Sequence, residues 1–334
     1  MNATQYNQQL DKLCSRSLLG EMKREPEYIS GKVYAVETAM GKYAVKVLAP
    51  EAAINHKILQ GYINSEKVAF IAKSFIPACA ARVVDGAAAQ EIDGSYFFLY
   101  DWVEGNHVTC KEMYGAHCQV IGGFLGELHR IDFSRVDVVD EYSKPHKTPD
   151  WDFYMQKGAE NQSPWVSLLE GHKVKMFDFY RKSESSKEEL LKNTVVSHCG
   201  LTPENVIWRN SAPVIIDWET AGFVNPYHDL IETALCWSED ADGKIDSNKF
   251  SAFLRGYKQR SPFKKGTDWN VAINAGYMSR IARLESSLKK SLGIGCQNAE
   301  EQGLYTERVT EITEALLKYE KTAADMKKWI AEIA

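Results

Sequence analysis

The hydrophobic period of this chain changes once, close to Gly105. Ahead of it, the pattern KVYAVET–AMG–KYAVKVL, from about Ile29 to Leu48, predicts two strands around a short glycine-containing turn. A helical stretch follows, about Glu51 to Phe75, with Ile54, Ile58, Tyr62, Ala69 and Phe70 as apolar contacts. Two more strands are expected around Ala80–Val84 and Tyr96–Tyr100, joined by a segment containing Asp93-Gly94. Past Gly105 helical patterns dominate, broken by β-like runs at Thr194–Ser197, Val206–Trp208 and Val214–Ile216. Such an order predicts an α+β chain with a small antiparallel-sheet lobe over residues 1–104 and a larger, mainly helical lobe over 105–334. The two would join near Asp101–Gly105.

Several functions are disfavoured at once. Forty Lys and Arg stand against 45 Asp and Glu, a formal charge of −5, and the pairs Lys264–Lys265 and Lys289–Lys290 are isolated. No basic run is long enough to track a phosphate backbone, so nucleic acid is not the expected partner. Seven cysteines without a CxxC pair write neither a zinc knuckle nor a redox motif. The opening MNATQYNQQLDKLCSRSLLG has no apolar core of signal-peptide length, and no run of 18 apolar residues follows. A cytoplasmic chain without a membrane span is therefore expected. Neither GxxxxGK[ST] nor HExxH occurs. The segment Ile121-Gly122-Gly123-Phe124-Leu125-Gly126 lacks the first glycine of a dinucleotide fingerprint and the strand before it, so its glycines read as close helix packing.

Four separated elements share one chemistry. Ala44-Val45-Lys46-Val47 sets a lysine inside an apolar strand, and a buried ammonium needs a partner; Glu66 stands 20 residues later on the next helix. Such a pair can aim the lysine at nucleotide phosphates. Tyr100-Asp101-Trp102-Val103-Glu104-Gly105 ends a strand, where the main chain of Asp101 and Val103 can meet an adenine edge. Ser197-His198-Cys199-Gly200-Leu201-Thr202-Pro203-Glu204-Asn205 has the spacing of a catalytic loop H-x-D-x-x-x-x-N, with Gly200 in the aspartate's place. Val214-Ile215-Ile216-Asp217-Trp218-Glu219 puts a carboxylate at a strand end, 12 residues past Asn205. Asn205 and Asp217 offer hard oxygen ligands of the kind Mg²⁺ takes beside phosphates and water.

The phrases YAVKVL, YFFLYDWVEG, LGELHRIDF, VSHCGLTPENVIW, VIIDWETAGF and NPYHDLIETA resemble the aminoglycoside phosphotransferase/choline kinase family, over about Ile29 to Trp237. That resemblance implies a protein-kinase-like bilobal fold and transfer of a phosphoryl group from ATP or GTP, with Mg²⁺, to a small-molecule hydroxyl. It makes residues 1–104 the nucleotide-binding lobe and gives the rest the catalytic loop, metal site and acceptor pocket. It further implies Lys46 and Glu66 as the phosphate-positioning pair, Asp101–Val103 as the hinge, and Asn205 and Asp217 as metal ligands. His198 would support the loop, and Asp229 would brace it. The phosphate-covering turn is reduced to Ser30-Gly31.

At position 200 the family's aspartate accepts the acceptor's proton; glycine has no side chain for this. General-base participation is worth about 10²–10⁴-fold. Two readings therefore stand: a small-molecule kinase impaired at its base, and a pseudokinase that binds nucleotide or partners without turnover. Aminoglycoside, choline, amino-alcohol and sugar acceptors are all open. Trp151, Phe153, Tyr154 and Trp165 read as core or as acceptor pocket, and Glu232 with Trp237–Asp240 as a cation-attracting patch or a solvated helix end. A stripe of apolar residues from Tyr305 to Ile333 predicts a long helix laid against the helical lobe, which favours a monomer over a coiled-coil homodimer.

Overall fold

The computed structural model describes residues 3–30, 33–138 and 148–333. Helix α1 (Ala3–Arg16) precedes strands β1 (Glu27–Ser30), β2 (Val33–Thr38) and β3 (Gly41–Val47). Helices α2 (Glu51–Ile54) and α3 (His56–Ala72) follow, then β4 (Gln90–Ile92) and β5 (Ser95–Asp101). The five strands form one antiparallel sheet in the order β1-β2-β3-β5-β4. Alternation along β3 buries Tyr43 and Val45 with Leu10, Leu13 and Cys14 of α1, leaving Lys46 on the opposite side of the strand. Leu48, Ala52, Leu59, Ala81 and Phe98 make a second cluster with Tyr62 and Tyr100.

Three details differ from expectation. Asn55 is extended (φ −129°), ends α2 and caps α3 by accepting from the Lys57 amide. That break resets the helical phase, so Ile54 and Phe70 are 87% and 62% exposed while Leu59, Val68 and Ala72 are buried. Residues 80–84 form no strand, because the Ala81 amide is taken by the Glu66 side chain rather than a ladder. The edge strand is β4 instead, joined to β5 through Asp93 and Gly94, both at positive φ as a tight hairpin requires.

Two compact units emerge: Met1–Met113 with Glu127–Asp140 and Val196–Phe223, and Tyr114–Gly126 with Glu141–Val195 and Val224–Ala334. The helices are α4 (Gly115–Leu128), α5 (Trp151–Glu160), α6 (Val166–Gly171), α7 (Lys173–Leu191), α8 (Pro226–Cys236), α9 (Ser247–Arg260), α10 (Trp269–Ser291) and α11 (Ala299–Ala331). In the second unit α10 packs on α7, α8 and α11. A β-carbon on Gly122 would overlap the Phe253 carbonyl of α9, and one on Gly126 would lie 2.7 Å from the Tyr257 oxygen. These glycines are helix contacts, as expected. Helix α11 buries Val309, Leu316, Tyr319, Met326 and Ile330, and the Tyr319 hydroxyl donates to the Ile273 carbonyl at 2.6 Å. Trp151, Tyr154 and Trp165 are core side chains, each at most 3% exposed. Glu232 is already paired with Arg280 at 2.8 Å. Among the described residues no helix is long and apolar enough to cross a membrane.

Candidate functional site

Within the first unit the chain returns as β6 (Val195–Ser197), β7 (Val206–Arg209), β8 (Ala212–Ile215) and the beginning of β9 (Gly222–Val224). Strands β7 and β8 pair antiparallel with Val206 opposite Ile215, and the Ile216 amide donates to the Asn205 carbonyl at 2.9 Å. Asn205 and Asp217 therefore leave the same end of one hairpin. The segment after β5 closes on β7 through reciprocal Asn106–Trp208 backbone bonds. Gly105 permits this: its φ is +137°, and a β-carbon there would overlap the Trp208 carbonyl.

Lys46 reaches Asp217 Oδ1 at 2.6 Å and Glu219 Oε2 at 2.7 Å. Burial works to lower the lysine's pKa, but hydrogen bonds and charge from Asp217 and Glu219 outweigh it and hold the ammonium above its ordinary value. The expected Lys46–Glu66 ion pair does not form. Glu66, 6% exposed on α3, instead accepts from the Tyr100 hydroxyl at 2.6 Å and the Ala81 amide at 2.7 Å. Burial pushes its carboxyl up, against those two donors and the more distant charge of Lys46. Helix α3 also holds the turn carrying Glu219, where Ser65 Oγ donates to the Glu219 carbonyl at 3.3 Å.

The loop is shaped from within. Fully buried His198 places Nε2 3.0 Å from the Ile216 carbonyl, so that nitrogen carries the proton. Asn205 Nδ2 donates to the Gly200 carbonyl at 2.8 Å, which leaves Oδ1 as the acceptor of that amide. Cys199 and Asp217 are both left-handed, at φ 56° and 61°. For residues with a β-carbon this costs about 1–2 kcal/mol each, and such strain gathers at functional sites. Asn205, Asp217 and Glu219 carry oxygen donors of the kind a hard divalent cation takes, and both carboxylates here engage Lys46.

Asp101 ends β5 and accepts from Arg82 at 3.0 Å, with half-buried Val103 two residues on. Ser30 is the last residue of β1, and Gly31 lies outside the described residues. Asp229 is buried in α8 and belongs to the second unit. Glu219 and Tyr100 were not anticipated. Only Glu219 left a signal, a second carboxylate two residues past Asp217.

Residues 29–263 match the model of the phosphotransferase enzyme family, and the chain belongs to that family. It is similar to a homoserine kinase of Pseudomonas aeruginosa (strain UCBPP-PA14), 23% identical over 214 aligned residues, with 62% of this chain covered. The match spans 65% of that enzyme's length. A spectinomycin phosphotransferase solved with ADP and spectinomycin superposes with a TM-score of 0.66 at 13% identity, over 94% of this chain and 98% of that one. A choline kinase from Cryptosporidium parvum gives 0.53 at 12% identity, over 95% and 96%. The fold is that of the protein-kinase-like phosphotransferases.

Proposed function

We propose that this chain transfers the terminal phosphoryl group of ATP or GTP to a hydroxyl of a small molecule. The observation that carries this is the grouping of Lys46, Asp217, Glu219 and Asn205 in one unit, on a fold whose relatives are solved with nucleotide. In this reading Lys46 binds phosphate oxygens, with Glu66 fixing the α3 side of the site. The main chain of Asp101 and Val103 meets the purine. Asn205 and Asp217 hold Mg²⁺, which when bound neutralises phosphate charge. His198 shapes the loop, and Asp229 is structural within α8. The nucleotide-binding lobe is residues 1–104, with the acceptor side in 105–334. The acceptor class spans aminoglycosides, amino alcohols such as choline or homoserine, and sugars. The chain works in the cytoplasm as a monomer.

Gly200 supports a second reading, a pseudokinase that binds nucleotide without turnover. Transfer of labelled γ-phosphate from Mg-ATP and Mg-GTP to spectinomycin, homoserine, choline and ethanolamine separates the two. Label on any acceptor supports the kinase. Nucleotide binding with no label on any of them supports the pseudokinase.

A further inference from the structure

The place a side chain would take at residue 200 is already filled. Thr220 Oγ1 stands 2.8 Å from the point where a β-carbon on Gly200 would lie, nearer than real β-carbons come to such an atom. The hydroxyl is anchored, donating to the His198 carbonyl at 3.0 Å. A side chain at 200 therefore requires the hydroxyl to shift, which strains the Thr220–His198 bond. Thr220 is exposed, and its proton is committed to His198, so the oxygen's lone pairs are left as acceptors.

We propose that Thr220 is the positioning residue for the acceptor: its hydroxyl oxygen accepts the acceptor's O–H beside Gly200, replacing the orienting part of the absent aspartate. This rests on the phosphotransferase reading. In the step, the acceptor oxygen bonds to the γ-phosphorus and the bond to the β,γ-bridging oxygen breaks. The nucleoside diphosphate leaves with that electron pair, and the acceptor's proton passes to an oxygen of the transferred phosphoryl group. Thr220 neither gains nor loses a proton. It orients the nucleophile but cannot serve as a base. Phosphoryl transfer through a loose transition state depends mainly on position and charge, so orientation alone has value.

The test uses the full chain with Thr220→Ser and Thr220→Val, the second being close in shape without the hydroxyl. Mg-ATP affinity is read by calorimetry, and turnover as Mg-ATP hydrolysis with water as acceptor plus transfer to spectinomycin, homoserine and choline. Thr220→Val is expected to lower kcat about tenfold, the effect of one hydrogen bond, with nucleotide Kd unchanged, and Thr220→Ser to stay within about twofold of the parent. Melting supplies a readout without turnover. Gly200→Asp should lower Tm, and Gly200→Asp/Thr220→Ala should melt higher than Gly200→Asp. Equal rates in the parent and Thr220→Val, including equally undetectable ones, overturn the proposal, as does a Thr220→Ser as slow as Thr220→Val. Failure of the parent to bind Mg-nucleotide removes the functional reading and this one together. Binding without a Thr220 effect on rate removes this one alone.

Discussion

Lys46 and Asp217, 171 residues apart in the chain, meet at 2.6 Å. The contact ties the central strand of the N-terminal sheet to the residue that follows the β7–β8 hairpin, and Glu219 shares the same ammonium. Under the proposed function its cation binds phosphate oxygens, so Lys46→Met should weaken Mg-nucleotide binding at least about tenfold by calorimetry. The same contact sets a pH dependence. Because the folded pKa is raised, this lysine's contribution to stability is full below its unfolded value and is lost as pH rises through the folded one. Melting curves above pH ~10 should show an alkaline loss that Lys46→Met lacks.

Tyr100 gives Glu66 one of its two hydrogen-bond donors in a buried place. Tyr100→Phe leaves that carboxylate oxygen without the hydroxyl and should cost about 1–3 kcal/mol. A lowered Tm is the expected result; an unchanged one would show that water replaces the hydroxyl.

Gly122 is read as a helix-contact residue because α9 backbone fills the space beside it. Gly122→Ala should force α4 from α9 and destabilise by roughly 2 kcal/mol or more, although alanine is the better helix former. Thermal melting decides this, and a stabilised variant would refute the packing.

His228 is buried in α8, and burial lowers its pKa. A depressed folded value means the unfolded chain binds the proton more readily. Its contribution to stability is therefore present above the unfolded value, near 6.5, and lost as pH falls. Between pH 7 and 5 the Tm of the parent should drop more than that of His228→Gln.

Much of this was legible in the sequence because it is written in local patterns. Strand alternation around Lys46, the spacing from His198 to Asn205 and the carboxylate ending an apolar run each sit inside about a dozen residues. What stayed hidden depends on the tertiary fold. The partners of Lys46 are a predicted ligand, Asp217, and a carboxylate two residues past it, yet only folding shows that these, and not Glu66, reach the ammonium. Tyr100 was read as part of the hinge strand, while its hydroxyl serves Glu66. Helix α1 left no readable role until its leucines met the sheet, and of the apolar residues expected along Glu51–Phe75 only Ala69 and Tyr62 pack inward, while Ile54, Ile58 and Phe70 are exposed. Thr220 was invisible because its significance lies in the emptiness of Gly200 across the loop.

The proposed Mg-nucleotide site is built on Lys46, Asn205 and Asp217. Calorimetric titration of ATP and GTP, with and without Mg²⁺, into the parent chain and Asp217→Ala tests it most directly. The account predicts saturable, Mg²⁺-dependent binding of at least one nucleotide with Kd below about 1 mM, and loss of the metal dependence in Asp217→Ala. Absence of binding by either nucleotide at millimolar concentration, or metal-dependent binding unchanged in Asp217→Ala, would contradict it.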